Sequence, residues 1–119
     1  MTRVGVFGSR GRMGAEVCRA VDSATDLELV AALDLKDDRA PAEAAQVMVD
    51  FTHPDAVMDN LSWCIEHGIH AVVGTTGFTD ERLDRLRTTL AEYDGVGVLV
   101  APNFSIGAVL MMRFAEQAA

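Results

Sequence analysis

Residues 4–14, Val-Gly-Val-Phe-Gly-Ser-Arg-Gly-Arg-Met-Gly, run an apolar strand straight into a turn with glycine at every third position. An amphipathic stretch, 15–21, follows at once, so the turn opens a helix. Few folds accept that junction: a strand feeding a helix that packs back on it is the first half of a parallel crossover unit. The same junction aims unpaired backbone N–H groups and the positive end of a helix dipole at one point, a seat suited to a pyrophosphate. Gly8 suits the tight turn, Gly11 the close approach of a phosphate to the backbone, and Gly14 the close packing of helix on strand. The spacing is one residue longer than the usual G-x-G-x-x-G, and a purely structural glycine turn is the plain alternative. Context favours the dinucleotide reading. A strand precedes the turn, a helix follows it, and an acid, Asp34, ends the next strand 20 residues beyond Gly14.

The remaining chain alternates strand and helix. Strands are predicted over 3–7, 28–33, 47–51, 71–73 and 96–100, and helices over 12–22, 53–67, 79–93 and 108–118. Segment 36–45 reads as a loop with one helical turn. Thr52 or His53 suits the cap of the second helix, Pro54 its first turn and Gly68 its end. Thr79 suits the cap of the third, with Asp80 and Glu81 complementing its dipole. Short apolar strands separated by amphipathic helices predict an α/β fold, a doubly wound parallel sheet of the Rossmann-like dinucleotide-binding kind. In such a sheet the ligand crevice lies beyond the strand carboxyl ends, and every unusual loop of this sequence falls at one.

A length of 119 residues fits one domain with a real core, and 50% hydrophobic against 24% charged residues argues for a folded chain. No apolar run reaches the length of a membrane span, and the four-residue run after Arg3 is too short for a signal peptide, so a cytoplasmic protein is expected. A net charge of −8 disfavours nucleic acid as a partner. Cys18 and Cys64 fall at apolar helix positions and read as reduced, buried thiols. No Cys/His spacing suggests a metal.

Asp34 has the placement of an acid that accepts hydrogen bonds from ribose hydroxyls, or else of a solvated acid at a strand end. A carboxylate there repels the extra phosphate of NADP, while Arg10, Arg12 and Lys36 are near enough in sequence to offset it. Phe51 and Thr52 are placed to line the crevice. Gly74-Thr75-Thr76-Gly77 offers backbone and hydroxyl donors for a carboxamide or carboxylate, or is an ordinary glycine turn. In 101–107, Pro102 stiffens the chain and Asn103 carries both donor and acceptor. His53 reads as a capping or surface residue ahead of an acid–base group, and His67 and His70 as structural. Met58, Met111, Met112 and Trp63 read as packing residues. No nucleophile–base pair is legible.

Four segments in order, Gly-Ser-Arg-Gly-Arg-Met-Gly (8–14), Asp-Phe-Thr-His-Pro (50–54), Gly-Thr-Thr-Gly-Phe (74–78) and Ala-Pro-Asn-Phe-Ser-Ile-Gly (101–107), resemble the dihydrodipicolinate reductase family of bacterial lysine and diaminopimelate synthesis. The resemblance covers essentially the whole chain. It implies that Gly8, Ser9, Arg10, Gly11, Arg12 and Met13 cradle a pyrophosphate and that Asp34 takes the ribose. Gly74, Thr75 and Thr76, with Ala101, Pro102, Asn103 and Phe104, would hold the nicotinamide end. Many relatives follow their acid with an arginine that binds the NADP phosphate. Leu35 stands there in this chain, which fits use of NADH or NADPH, with NADH at least as good and Arg10 as compensator. The implied reaction passes a hydride to the dehydrated substrate to give tetrahydrodipicolinate.

Family members continue into a substrate domain with a histidine-rich acid–base motif and most of a tetramer interface. The expectation is therefore that residues 1–119 form the cofactor domain, carry no catalytic acid or base, and do not turn over alone. The dicarboxylate substrate and the homotetramer belong, on this reading, to the full-length enzyme. A stand-alone NADH-binding module is the alternative, although the acidic chain shows no output element such as a basic helix.

Overall fold

The computed structural model describes residues 1–34 and 36–101. In chain order these form strand β1 (Thr2–Phe7), helix α1 (Arg12–Ser23), strand β2 (Leu27–Leu33), a short 3-10 helix (Ala40–Ala44), strand β3 (Val47–Asp50), helix α2 (Pro54–Glu66), strand β4 (His70–Val73), helix α3 (Asp80–Ala91) and strand β5 (Val98–Val100). The helix expected over 108–118, with Met111 and Met112, lies outside the described residues, as do Leu35, Pro102, Asn103 and Phe104.

All strand pairs are parallel, in the order β2-β1-β3-β4-β5. Alternation along each strand divides the core. Val4, Val6, Val47, Val49 and Val72 face Val17 and Val21 of α1. Phe7, Met48, Ala71 and Val73 face the other way, toward Val57, Leu61, Cys64 and Ile65 of α2 and Leu86 of α3. Apolar side chains on both faces explain why the strands read as continuous hydrophobic runs. The chain leaves β1 across one face and returns through β3 to the other, so the winding reverses between these two strands. That is where a doubly wound sheet opens a crevice.

Local chemistry sets the boundaries. The Thr79 hydroxyl caps α3, accepting the Arg82 N–H at 3.2 Å. β5 starts at Val98, two residues later than expected, because the Gly97 N–H donates to His70 Nδ1 at 3.0 Å. No helix among the described residues is long and apolar enough to cross a membrane.

Of the two thiols, Cys64 is buried as expected, while Cys18 is only partly buried. Burial, then the charge of Asp50, pushes the Cys64 thiol up to about 12, against a smaller opposing pull from Arg39. The native chain thus keeps a proton that the unfolded chain releases above the ordinary thiol value of 9.0. This contribution to stability is whole below pH 9.0 and is lost as pH rises from there toward about 12, at no more than ~1.4 kcal/mol per pH unit. Thermal melts between pH 8 and 10.5 are expected to show a shallower alkaline decline in Cys64→Ala than in the parent chain. Equal slopes would mean that Cys64 is not the group responsible.

Candidate functional site

The sheet register assembles the site. Leu33, Phe7, Asp50, Val73 and Val100 are cross-strand partners, forming one row at the carboxyl edge. The next residue on each strand begins a loop: Asp34, Gly8, Phe51, Gly74 and Ala101. Backbone bonds carry the ladder one step further, from Phe51 N–H to Phe7 O (3.0 Å), Gly74 N–H to Asp50 O (2.9 Å) and Ala101 N–H to Val73 O (2.8 Å). Five segments far apart in sequence thus start side by side.

The glycine turn is built by two of its three glycines. Gly8 adopts φ +86°, and a Cβ there would strike the Phe51 carbonyl oxygen. A Cβ on Gly14 would strike the Gly8 carbonyl oxygen, so α1 approaches the turn as closely as backbone allows. Gly11 differs. It has extended backbone (φ −72°, ψ 166°), is exposed, and its Cβ would meet only the Gly8 oxygen at an ordinary 3.4 Å. Nothing within the described chain requires glycine there. Helix α1 starts at this point with no side-chain cap and no acid in its first turn, whereas α2 carries Asp55 and α3 carries Asp80 and Glu81. Its first amides are left to water or to an anion.

A cleft of about 270 Å³ opens here, with Gly8, Arg10, Gly11 and Asp34 on one side and Phe51, Thr52 and His53 on the other. Arg10 Nε lies 4.0 Å from Asp34 Oδ2, an exposed guanidinium at the outer limit of contact with a half-buried carboxylate. The Asp34 N–H donates to Asp37 Oδ2 at 2.9 Å, and the Asp37 N–H returns to Asp34 O at 3.0 Å, which fixes the end of β2. A larger hollow of about 530 Å³ adjoins it, sharing Asp34 and Thr52 and reaching Trp63, Asn60 and Arg39.

Two expectations change in detail. The Thr75 side chain, 4% exposed, turns inward and donates to Asp50 Oδ1 at 2.7 Å, leaving Thr76 exposed and Gly74 half-buried beside the Phe51 ring. Neither Thr52 nor His53 caps α2 through its side chain. His53 holds the cap position without a side-chain bond, and the Thr52 hydroxyl donates to Asp50 Oδ1 at 2.7 Å instead. His67 Nδ1 sits 2.7 Å from the Trp63 carbonyl, and His70 accepts from Gly97, so both are structural. Arg12 is exposed and Met13 half-buried at the start of α1, and Ser9 is half-buried in the turn.

The residues that sequence reasoning passed over are Asp50, Asn60 and Arg39. Asp50 is 1% exposed, and its second oxygen accepts from Asn60 Nδ2 at 2.9 Å. Asn60 Oδ1 in turn accepts from Arg39 Nε (3.1 Å) and Nη2 (2.9 Å). One signal was present in the sequence: Asn60 falls on the inward stripe of α2 formed by Val57, Leu61 and Cys64, where a polar side chain needs a buried partner.

Residues 2–104 match the family model "Dihydrodipicolinate reductase, N-terminus". The chain belongs to the dihydrodipicolinate reductase family. It is 66% identical over 119 residues to the 4-hydroxy-tetrahydrodipicolinate reductase of Cutibacterium acnes and 65% identical to that of Thermobifida fusca. All of the chain is covered in both alignments, and 48% of each relative, so it spans about half the length of these curated relatives. The solved dihydrodipicolinate reductase from Paenisporosarcina sp. TG-14, with dipicolinate bound, superposes with a TM-score of 0.75 at 36% identity, covering 100% of this chain and 54% of that one. Aspartate dehydrogenase from Thermotoga maritima shares the fold at a TM-score of 0.64 and 17% identity, over 84% of this chain and 45% of that one. Family and fold agree: the chain is the family's N-terminal region, a Rossmann-like α/β sheet of the dinucleotide-binding kind.

Proposed function

We propose that this chain is the NAD(P)H-binding portion of a 4-hydroxy-tetrahydrodipicolinate reductase, which delivers hydride to its substrate to form tetrahydrodipicolinate in lysine and diaminopimelate synthesis. The observation that carries this reading is the shared row, which sets Asp34, Gly8, Phe51, Gly74 and Ala101 side by side at one sheet edge. The residues suit the cofactor. Gly11 leaves open backbone where a side chain would fit, beside the uncapped start of α1, as an approaching pyrophosphate needs.

In this reading Gly8 to Met13 hold the pyrophosphate and Asp34 accepts from ribose hydroxyls. Phe51 and Thr52, with Gly74, Thr75, Thr76 and the segment Ala101, Pro102, Asn103 and Phe104, shape the nicotinamide end. The bound cofactor supplies the hydride. The chain's own part is to hold the ring against the sheet edge and keep the site dry on that side. The acid–base groups, the dicarboxylate grip and the homotetramer contacts are assigned to a further domain of the full-length enzyme, so residues 1–119 alone bind cofactor without turnover.

Fluorescence titration with NADH tests this. Saturable binding is expected, weakened roughly tenfold to a hundredfold in Asp34→Ala through loss of charged hydrogen bonds worth about 1.5–3 kcal/mol. A folded chain that ignores NADH would end the proposal. For cofactor choice, NADH is expected to bind at least as well as NADPH, with Arg10 supplying the partner for the extra phosphate. Arg10→Ala should then raise the Kd for NADPH about tenfold and that for NADH far less. Equal losses for both would remove Arg10 from phosphate recognition.

A further inference from the structure

We propose that Asp50 is a positioning residue, whose buried carboxylate locks the loop after β3 to the loop after β4 and so sets the shape of the nicotinamide end of the crevice. The inference rests on the dinucleotide reading above.

A carboxylate taken out of water is costly, and local capping alone would not repay it. Asp50 has far more than a local cap. Oδ1 accepts from the Thr52 N–H (2.9 Å), the Thr52 hydroxyl (2.7 Å) and the Thr75 hydroxyl (2.7 Å). Oδ2 accepts from Asn60, which is itself gripped by Arg39. Thr52 and Thr75 lie on different loops, and the Thr52 N–H also reaches Thr75 Oγ1 at 3.1 Å. Every partner donates, and no buried side-chain polar atom among the described residues lacks a bond. A saturated network of this kind specifies one geometry, where apolar packing would tolerate several.

The loops so joined are also pressed together. A Cβ on Gly74 would strike the Phe51 ring, so a small shift of either loop moves both. The chain from Arg39 through Asn60 to Asp50 is polar in one sense only: guanidinium donates to amide oxygen, amide nitrogen donates to carboxylate. That directionality makes the network testable.

In Asp50→Asn the new amide can keep its oxygen toward Thr52 and Thr75, but its NH2 then faces the Asn60 NH2. Turning Asn60 over moves the conflict to Arg39. Exchanging the two residues, Asp50→Asn with Asn60→Asp, restores every donor–acceptor pairing while moving the charge one step toward Arg39.

The experiment measures binding of NADH and of ADP-ribose, which lacks the nicotinamide, to the parent chain and variants, with thermal melts alongside. Asp50→Asn is expected to weaken NADH about tenfold while ADP-ribose changes less than about threefold, and the exchanged pair to recover NADH affinity. Thr75→Val removes the hydroxyl that bonds both Asp50 Oδ1 and the Thr52 N–H, while leaving the Asp50 carboxylate in place. It should reproduce the selective loss, and it stands in if Asp50→Asn does not fold. Parallel losses of both ligands, or unchanged NADH binding, would overturn the positioning role and leave the dinucleotide reading intact. So would an exchanged pair that regains stability without affinity. A parent chain that binds neither ligand would overturn both.

Discussion

Gly14→Ala is expected to lower the melting temperature by more than about 10 °C, the largest stability effect of any single methyl group added to the glycine turn. The added Cβ would lie against the Gly8 carbonyl oxygen, which already accepts the Gly11 N–H at 3.1 Å. Gly8 itself sits at φ +86° under the Phe51 carbonyl, so the obstructing atom is backbone held on two sides. A flexible side chain would swing aside; this oxygen has nowhere to go. Overpacking of this sort costs about 1–3 kcal/mol and sometimes more, a large share of the stability of a domain this size. Circular dichroism melts decide the matter, and a shift under 2 °C would show that α1 can slide away from the turn at little cost.

The neighbouring change works the other way. In Gly11→Ala the melting temperature should stay within about 2 °C, because the extended backbone suits alanine and the new Cβ finds an ordinary contact at 3.4 Å. A weaker helix cap and a less flexible unfolded chain oppose one another by a few tenths of a kcal/mol. NADH affinity, by contrast, should fall by roughly 30-fold or more, since the methyl group would occupy the surface where the proposed function seats a pyrophosphate against the first amides of α1. Undiminished affinity would place the phosphates elsewhere. The pair of variants separates what glycine does for the chain from what it does for a ligand.

The sequence made the sheet legible because each strand is short, apolar and closed by a turn residue, and because Gly8, Gly68 and Thr79 punctuate where backbone demands it. The glycine turn and Asp34 were legible as a pair through their spacing. The register was not. Phe7, Asp50, Val73 and Val100 share a row only after four separate crossovers have packed, and no local pattern encodes that alignment. The Asp50 network was hidden for the same reason, since Thr75 and Asn60 lie 25 and 10 residues from the acid they hold. Thr52 read as a helix cap or crevice residue, and Thr75 as a donor toward a ligand or part of a plain turn, because sequence supplies a hydroxyl without its direction. Buried Asp50 draws both inward.

The N–H groups of Gly8 and Ser9 both donate to the carbonyl of Leu33, at 2.7 and 3.0 Å, and Leu33 immediately precedes Asp34. Two bonds to a single oxygen tie the start of the glycine turn to the start of the acid's loop, so the span between them is settled when the chain folds. The crevice therefore behaves as a gauge. On the proposed reading a ligand would be measured by the length that separates its sugar from its phosphates, and a molecule with the right groups at the wrong separation would engage one end only.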